Sequence, residues 1–250
     1  MRQAITDRAR LVVPSTVVPG CTPIAAYRGA VDDLHALAAA VDQTPAVLDV
    51  MAHVAGVEQL VLRWLVGKPV DLGEHGAVRA SLDLHDWHRL TLEVEQAARA
   101  ADAGRALPAY GLVLDVDGLL VLRTFELWTH THDVARAAGV PTPDTAPPRL
   151  ALMSARLSEV LPMAMAVRGV SRPGRTARLV LTGVAPGCFD VSLDPADAPG
   201  QPDVTIVVDV VEVCRLAARR AVADGIGVVF EGDEALGRLV LAAADAFAQD

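Results

Sequence analysis

The chain has 250 residues, of which 52% are hydrophobic and 21% charged, and its formal net charge is -9 at pH 7. This length is generous for one domain and comfortable for two, and the composition is that of a folded chain rather than a disordered one. An acidic balance lacks the basic footprint that a phosphate backbone requires, so no nucleic-acid partner is expected.

Cys21, Cys188 and Cys214 are widely spaced and form no C-x-x-C pair, which fits neither a disulfide framework nor a thiolate zinc site. Prolines interrupt the opening MRQAITDRARLVVPSTVVPG before a secretory apolar core can form. No apolar run approaches the ~18 residues of a spanning helix. The expectation is a soluble cytoplasmic protein, monomeric or homodimeric, with no membrane partner.

Taken in order, residues 1–21 read as an irregular lead-in around Pro14, Pro19 and Gly20. A first helix starts at Pro23 behind Thr22 as N-cap, and a second starts at Pro45 behind Thr44 and runs to Gly67, where GKP stops it. SLDLHDWHRLTLEVEQAARAADAG is a third helix, and VDGLLVLRTFELWTHTHDVARAAG, residues 116–139, a fourth. Four helices of this length joined by loops predict an antiparallel bundle over residues 1–143.

The prolines at 141–148 mark a boundary. Beyond them PRLALMSARLSEVLPMAMAVRG reads as one more helix. The periodicity then changes: TARLVLTG, CFDVSLD and DVTIVVD read as strands, with Pro186-Gly187 turning between the first two. The helix VVEVCRLAARRA, the short strand IGVVFEG and a terminal helix DEALGRLVLAAADAFA capped by Asp233 follow. Residues 144–250 are therefore expected to form a small α+β domain, making the whole chain α+β with two domains.

Glu126 and His130 stand four residues apart in the fourth helix, so their side chains lie one above the other within reach of a single ion. A zinc ion that does chemistry needs at least three protein ligands and one open position. The candidate third ligand is His53, which shares a helix face with Gly56, Leu60 and Trp64 and lies about 120° to 140° from Glu58 and Gln59, the pair that marks the exposed side. A histidine on a packed face needs a partner for each ring nitrogen. Asp49, one turn before His53, would satisfy one nitrogen in a plain core histidine and equally would orient a metal ligand. Arg123, Glu126, His130 and Asp133 form one polar stripe, a spacing shared with a solvated, internally paired helix face. If the stripe instead holds an ion, Asp133 is the carboxylate that would orient His130.

The other histidines are weaker candidates. His85 and His88 are three apart beside aspartates, as in a surface cluster; His35 adjoins Asp32 and Asp33; His132 points away from His130; His75 lies in a polar loop. There is no G-x-S-x-G elbow and no phosphate loop, and the GIG at 225–227 lacks the context of a dinucleotide fingerprint. Cys214 reads as a small buried residue of an amphipathic helix. Arg215, Arg219 and Arg220 on that helix read as surface charges or C-terminal caps, or as a clamp for a substrate carboxylate.

The segments LDVMAHVAGVEQ, TFELWTHTHDVARAAGVP, and DVTIVVDVVEVCRLAARR followed by EGDEALGRLVLAAADAF resemble the mycothiol-dependent maleylpyruvate isomerase family. The resemblance covers nearly the whole chain after residue 22, and ELWTH is its most specific element. It implies a DinB-like four-helix bundle followed by a smaller α+β domain. It also implies a divalent ion, typically Zn2+, on His53, Glu126 and His130, an active-site arginine for which Arg215 or Arg219 is the candidate, and mycothiol as co-substrate. The chain departs from the family ahead of the second helix, where TPAVLDVMAH lacks the usual tryptophan-bearing lead-in. The reading that follows is a metal-dependent isomerase or S-transferase acting on an electrophilic small molecule. Its alternatives are a hydrolase or lyase using the same ion without a thiol, and a binding protein without turnover.

Overall fold

The structure is a computed structural model that describes residues 20–68, 78–102, 104–109, 112–246 and 248. The expected lead-in before residue 20 and His75 lie outside the described residues. The chain is α+β and divides into two compact units, chiefly Cys21–Thr145 and Ala146–Ala248, against an expected boundary after residue 143.

The first unit holds helices α1 (Pro23–Ala40), α2 (Pro45–Leu65), α3 (Leu84–Ala100) and α4 (Val116–Ala138). The starts follow the local chemistry. Thr22 and Thr44 each accept a backbone N–H three residues on, with proline behind them, and Asp83 and Asp115 do the same for α3 and α4. The third helix thus begins at Leu84, not at Ser81, because Asp83 is the cap. α1 packs against α3 and α4, and α2 against the same two helices. Leu34, Leu60, Trp87, Leu119 and Leu127 are among the side chains sealed between them.

Between α3 and α4 a short antiparallel hairpin, β1 (Leu107–Ala109) and β2 (Leu112–Leu114), pairs Leu107 with Leu114. The sequence reading missed it, since three-residue strands leave almost no periodicity to detect.

One sequence expectation is corrected here. Glu58 does not mark an exposed side of α2: it is fully buried, because α2 is covered by α3, α4 and the hairpin at once. Among the described residues two helices, α2 and α5 (Pro147–Val167), are long and apolar enough to cross a membrane by length and composition. More than half of each apolar window is buried inside the protein, as in core helices of a globular fold.

The second unit starts with α5 and continues with β3 (Thr176–Thr182), β4 (Gly187–Ser192), β5 (Val204–Asp209), α6 (Val210–Ala217), β6 (Val228–Gly232) and α7 (Glu234–Ala243). The sheet order is β4-β3-β5-β6, with β3 and β5 parallel and both outer pairs antiparallel. Ala177, Leu179 and Leu181 are buried opposite Val204, Ile206 and Val208, one apolar face made by period-two alternation. The helices pack on this sheet, α5 on β4, α6 on β5, and α7 on β5 and β6.

α6 ends at Ala217 rather than continuing to Ala221. Arg219 takes a left-handed conformation at φ 55, and the N–H of Arg220 returns to the carbonyl of Arg215, which closes the helix. α4 ends in the same way at Gly139, φ 68. Nothing crowds a Cβ at Gly139, so only the backbone conformation penalises a side chain there. Gly139→Ala is therefore expected to lower stability by about 1 kcal/mol, the usual cost of a left-handed L-residue, read as a shift of the urea unfolding midpoint at constant slope.

Candidate metal centre

The residues nominated from spacing come together. One ligand atom each from His53, Glu126 and His130 lie within 4.8 Å of one another, the only such group of histidines, cysteines and acids among the described residues. The two imidazole centroids are 5.0 Å apart with planes at 75°. Nε2 of His53 stands 3.7 Å from Oε1 of Glu126, too far for a hydrogen bond and close to the ~3.4 Å edge of a tetrahedron with ~2.1 Å ligand distances. The stripe on α4 is therefore not a solvated face: Arg123, His130 and Asp133 are buried, and the Glu126 side chain is 12% exposed.

Each ligand has a group behind it. Nδ1 of His130 is 3.1 Å from Oδ2 of Asp133, whose other oxygen accepts from Arg136 at 2.7 Å. That contact fixes the ring and leaves Nε2 of His130, which is buried and makes no hydrogen bond, turned toward the group. Oε2 of Glu126 is 2.9 Å from Nη1 of Arg123, so Oε1 is the oxygen that faces His53.

His53 is held differently from the expectation. Asp49 does not bond it; Asp49 pairs with Nε of Arg79 at 3.3 Å instead. Nδ1 of His53 lies 3.3 Å from the carbonyl of Val78 and 3.0 Å from Nη1 of Arg79. One nitrogen cannot donate to the first and accept from the second at once. Ligation through Nε2 requires the Nδ1–H tautomer, in which Val78 is the acceptor and Arg79 keeps its own bonds to Val78 and Asp49.

The Val78–Ala80 segment reaches α2 because of Gly56. Ala80 N–H donates to Ala52, and a Cβ at position 56 would stand 3.0 Å from the Arg79 nitrogen. A glycine in mid-helix on the face of His53 was the signal for this close approach.

The other described histidines, His35, His85, His88 and His132, stay apart from this group. His85 is exposed; His35 and His88 are half-buried with ring centroids 4.7 Å apart, beside Trp87. Burial, and then the neighbouring His88, hold the His35 pKa below its ordinary value. His132 is half-buried, packs on Trp128 and bonds its carbonyl through Nδ1 at 2.9 Å. Arg215 stands 3.7 Å from Glu212 on its own helix, and Arg219 donates to Asp245 at 3.0 Å, so both arginines are held by acids of the second unit.

Comparison with known protein families, curated proteins and solved structures returned no match. The chemistry is therefore read from the side chains themselves. Two imidazoles and one carboxylate are a donor set that suits Zn2+ and other divalent first-row ions.

Cys214 offers no nucleophile, because full burial, with a smaller contribution from Asp209, pushes its thiol up to about 12. Cys188 is exposed. Treatment of the native protein with iodoacetamide at about pH 8 should modify Cys188 and leave Cys214 untouched until the chain is unfolded, as read by peptide mass mapping.

Proposed function

We propose that this protein is a divalent-metal-dependent enzyme of the mycothiol-dependent maleylpyruvate isomerase type, with residues 1–143 as a DinB-like bundle and the rest as its C-terminal domain. The observation that carries the reading is the convergence of His53, Glu126 and His130 from two helices into one buried group. The likeness of the segments around these residues to that family supports the same view. Zn2+ is the ion the donor set favours, and the setting is cytoplasmic.

In this reading Nε2 of His53, Oε1 of Glu126 and Nε2 of His130 would hold the ion, and the small-molecule thiol would bind beside it. When bound, the ion supplies Lewis acidity that lowers the pKa of a coordinated thiol. Asp133 holds the His130 imidazole in the tautomer that keeps Nε2 available, and the Val78 carbonyl would accept from Nδ1 of His53 in the same tautomer of that ring. The thiolate sulfur adds to an electrophilic carbon; a C–S bond forms as the π pair of the alkene moves onto a conjugated carbonyl. Rotation about the resulting single bond and expulsion of the same thiol convert a cis to a trans alkene. If the enolate instead takes back at carbon the proton that the thiol gave up and the adduct is released, the protein is an S-transferase.

Elemental analysis of the purified protein should find about one divalent ion per chain, and His53→Ala and Glu126→Ala should each lose most of it. Equal metal content in all three would end the assignment. With metal present, turnover of a cis-configured unsaturated keto acid should require mycothiol. A rate indifferent to the thiol would point to hydrolysis or elimination, and ligand binding without turnover to a non-enzymatic role.

A further inference from the structure

The group behind Glu126 extends across the whole first unit. Tyr27 on α1 donates to Oε1 of Glu58 on α2 at 2.5 Å and is also 3.4 Å from the Thr91 carbonyl on α3. Arg123 on α4 donates to Oε2 of Glu58 through Nε at 3.1 Å and Nη2 at 2.8 Å, and Nη2 also reaches the Val54 carbonyl at 2.9 Å. Nη1 of the same guanidinium stands on Oε2 of Glu126 at 2.9 Å. Arg123 and Glu58 have no solvent exposure, and Tyr27 is 1% exposed.

The planar fork hydrogen-bonds Glu58 through Nε and Nη2, which sets the plane of the guanidinium and places Nη1 at ion-pair distance from Glu126, an arrangement a lysine point charge cannot reproduce.

Resting on the metal reading above, we propose that Arg123 is a positioning residue that occupies Oε2 of Glu126 and thereby makes it a one-oxygen ligand through Oε1, with Glu58 and Tyr27 holding the guanidinium in place. Without Arg123, Oε2 of Glu126 loses this ion-pair contact and the guanidinium no longer draws it away from the ion. The coordination number and affinity of the site then change, while the two imidazoles remain as they were.

Co2+ is the probe, since its visible bands report ligand number and geometry at the filled site. Removing Arg123 alone would strand the buried Glu58 charge, so the variant is Arg123→Gln combined with Glu58→Gln, which leaves an amide pair in place of the ion pair. Circular dichroism confirms the fold. The expected result is a Co2+ affinity about 10- to 100-fold weaker, with bands shifted in position and intensity at saturation. If the double variant does not fold, Arg123→Lys, which keeps the charge and loses the fork, is read in the same way.

A residue that merely packs would lower the melting temperature and leave the saturated spectrum unchanged. Wild-type affinity and spectrum in the folded variant would therefore overturn the proposal while leaving the metal site standing. Failure of the wild-type protein itself to bind Co2+ would overturn both.

Discussion

A guanidinium with no access to water, shared between carboxylates from two helices, is the constraint on which the first unit depends. Arg123 cannot be buried without Glu58, and Glu58 cannot be buried without Arg123 and Tyr27. Breaking such a pair by removing one partner costs ~3–5 kcal/mol, a large fraction of the ~5–15 kcal/mol by which a domain is stable. The cluster therefore leaves α2 and α4 little freedom to slide or rotate past one another. One slip of register would carry Glu126 and His130 away from His53, so the contact that holds the helices also sets the distances in the candidate centre.

Much of this was legible in the sequence, for local reasons. Thr22, Thr44 and Gly139 announce helix ends through backbone chemistry that acts within a few residues, and each sits where its type predicts. The spacing of Glu126 and His130 is likewise a property of one helix. His53 was reachable because a histidine on an apolar face demands an explanation.

What was not legible depends on more than one element. Glu58 looks like a surface residue beside Gln59 until α4 places a guanidinium against it, and periodicity within α2 carries no trace of that partner. Arg123, Glu126, His130 and Asp133 give the same stripe whether they meet water or another helix. Nδ1 of His53 is met by the backbone carbonyl of Val78 and by Arg79, and a carbonyl has no residue type to betray it. Asp49 was the natural guess from one helix turn; Arg79, thirty residues on, takes it instead.

The three candidate ligands share a pattern that separates them from an accidental cluster of polar side chains. Each has one donor or acceptor atom held from behind by a group that does not itself face the centre: the Val78 carbonyl for His53, Asp133 for His130, and Arg123 for Glu126. Those contacts fix the rings and the carboxylate before any ion arrives, so the side-chain entropy of ordering them is lost on folding and not on binding. A core histidine needs only satisfaction of its nitrogens, and the shortest route to that is a bond between the histidines and the acid themselves. Here the inward atoms are kept apart, with 3.7 Å between Nε2 of His53 and Oε1 of Glu126, while the outward atoms are anchored. That division of labour spends buried polar contacts on orientation, which is what a binding centre requires and a packed core does not.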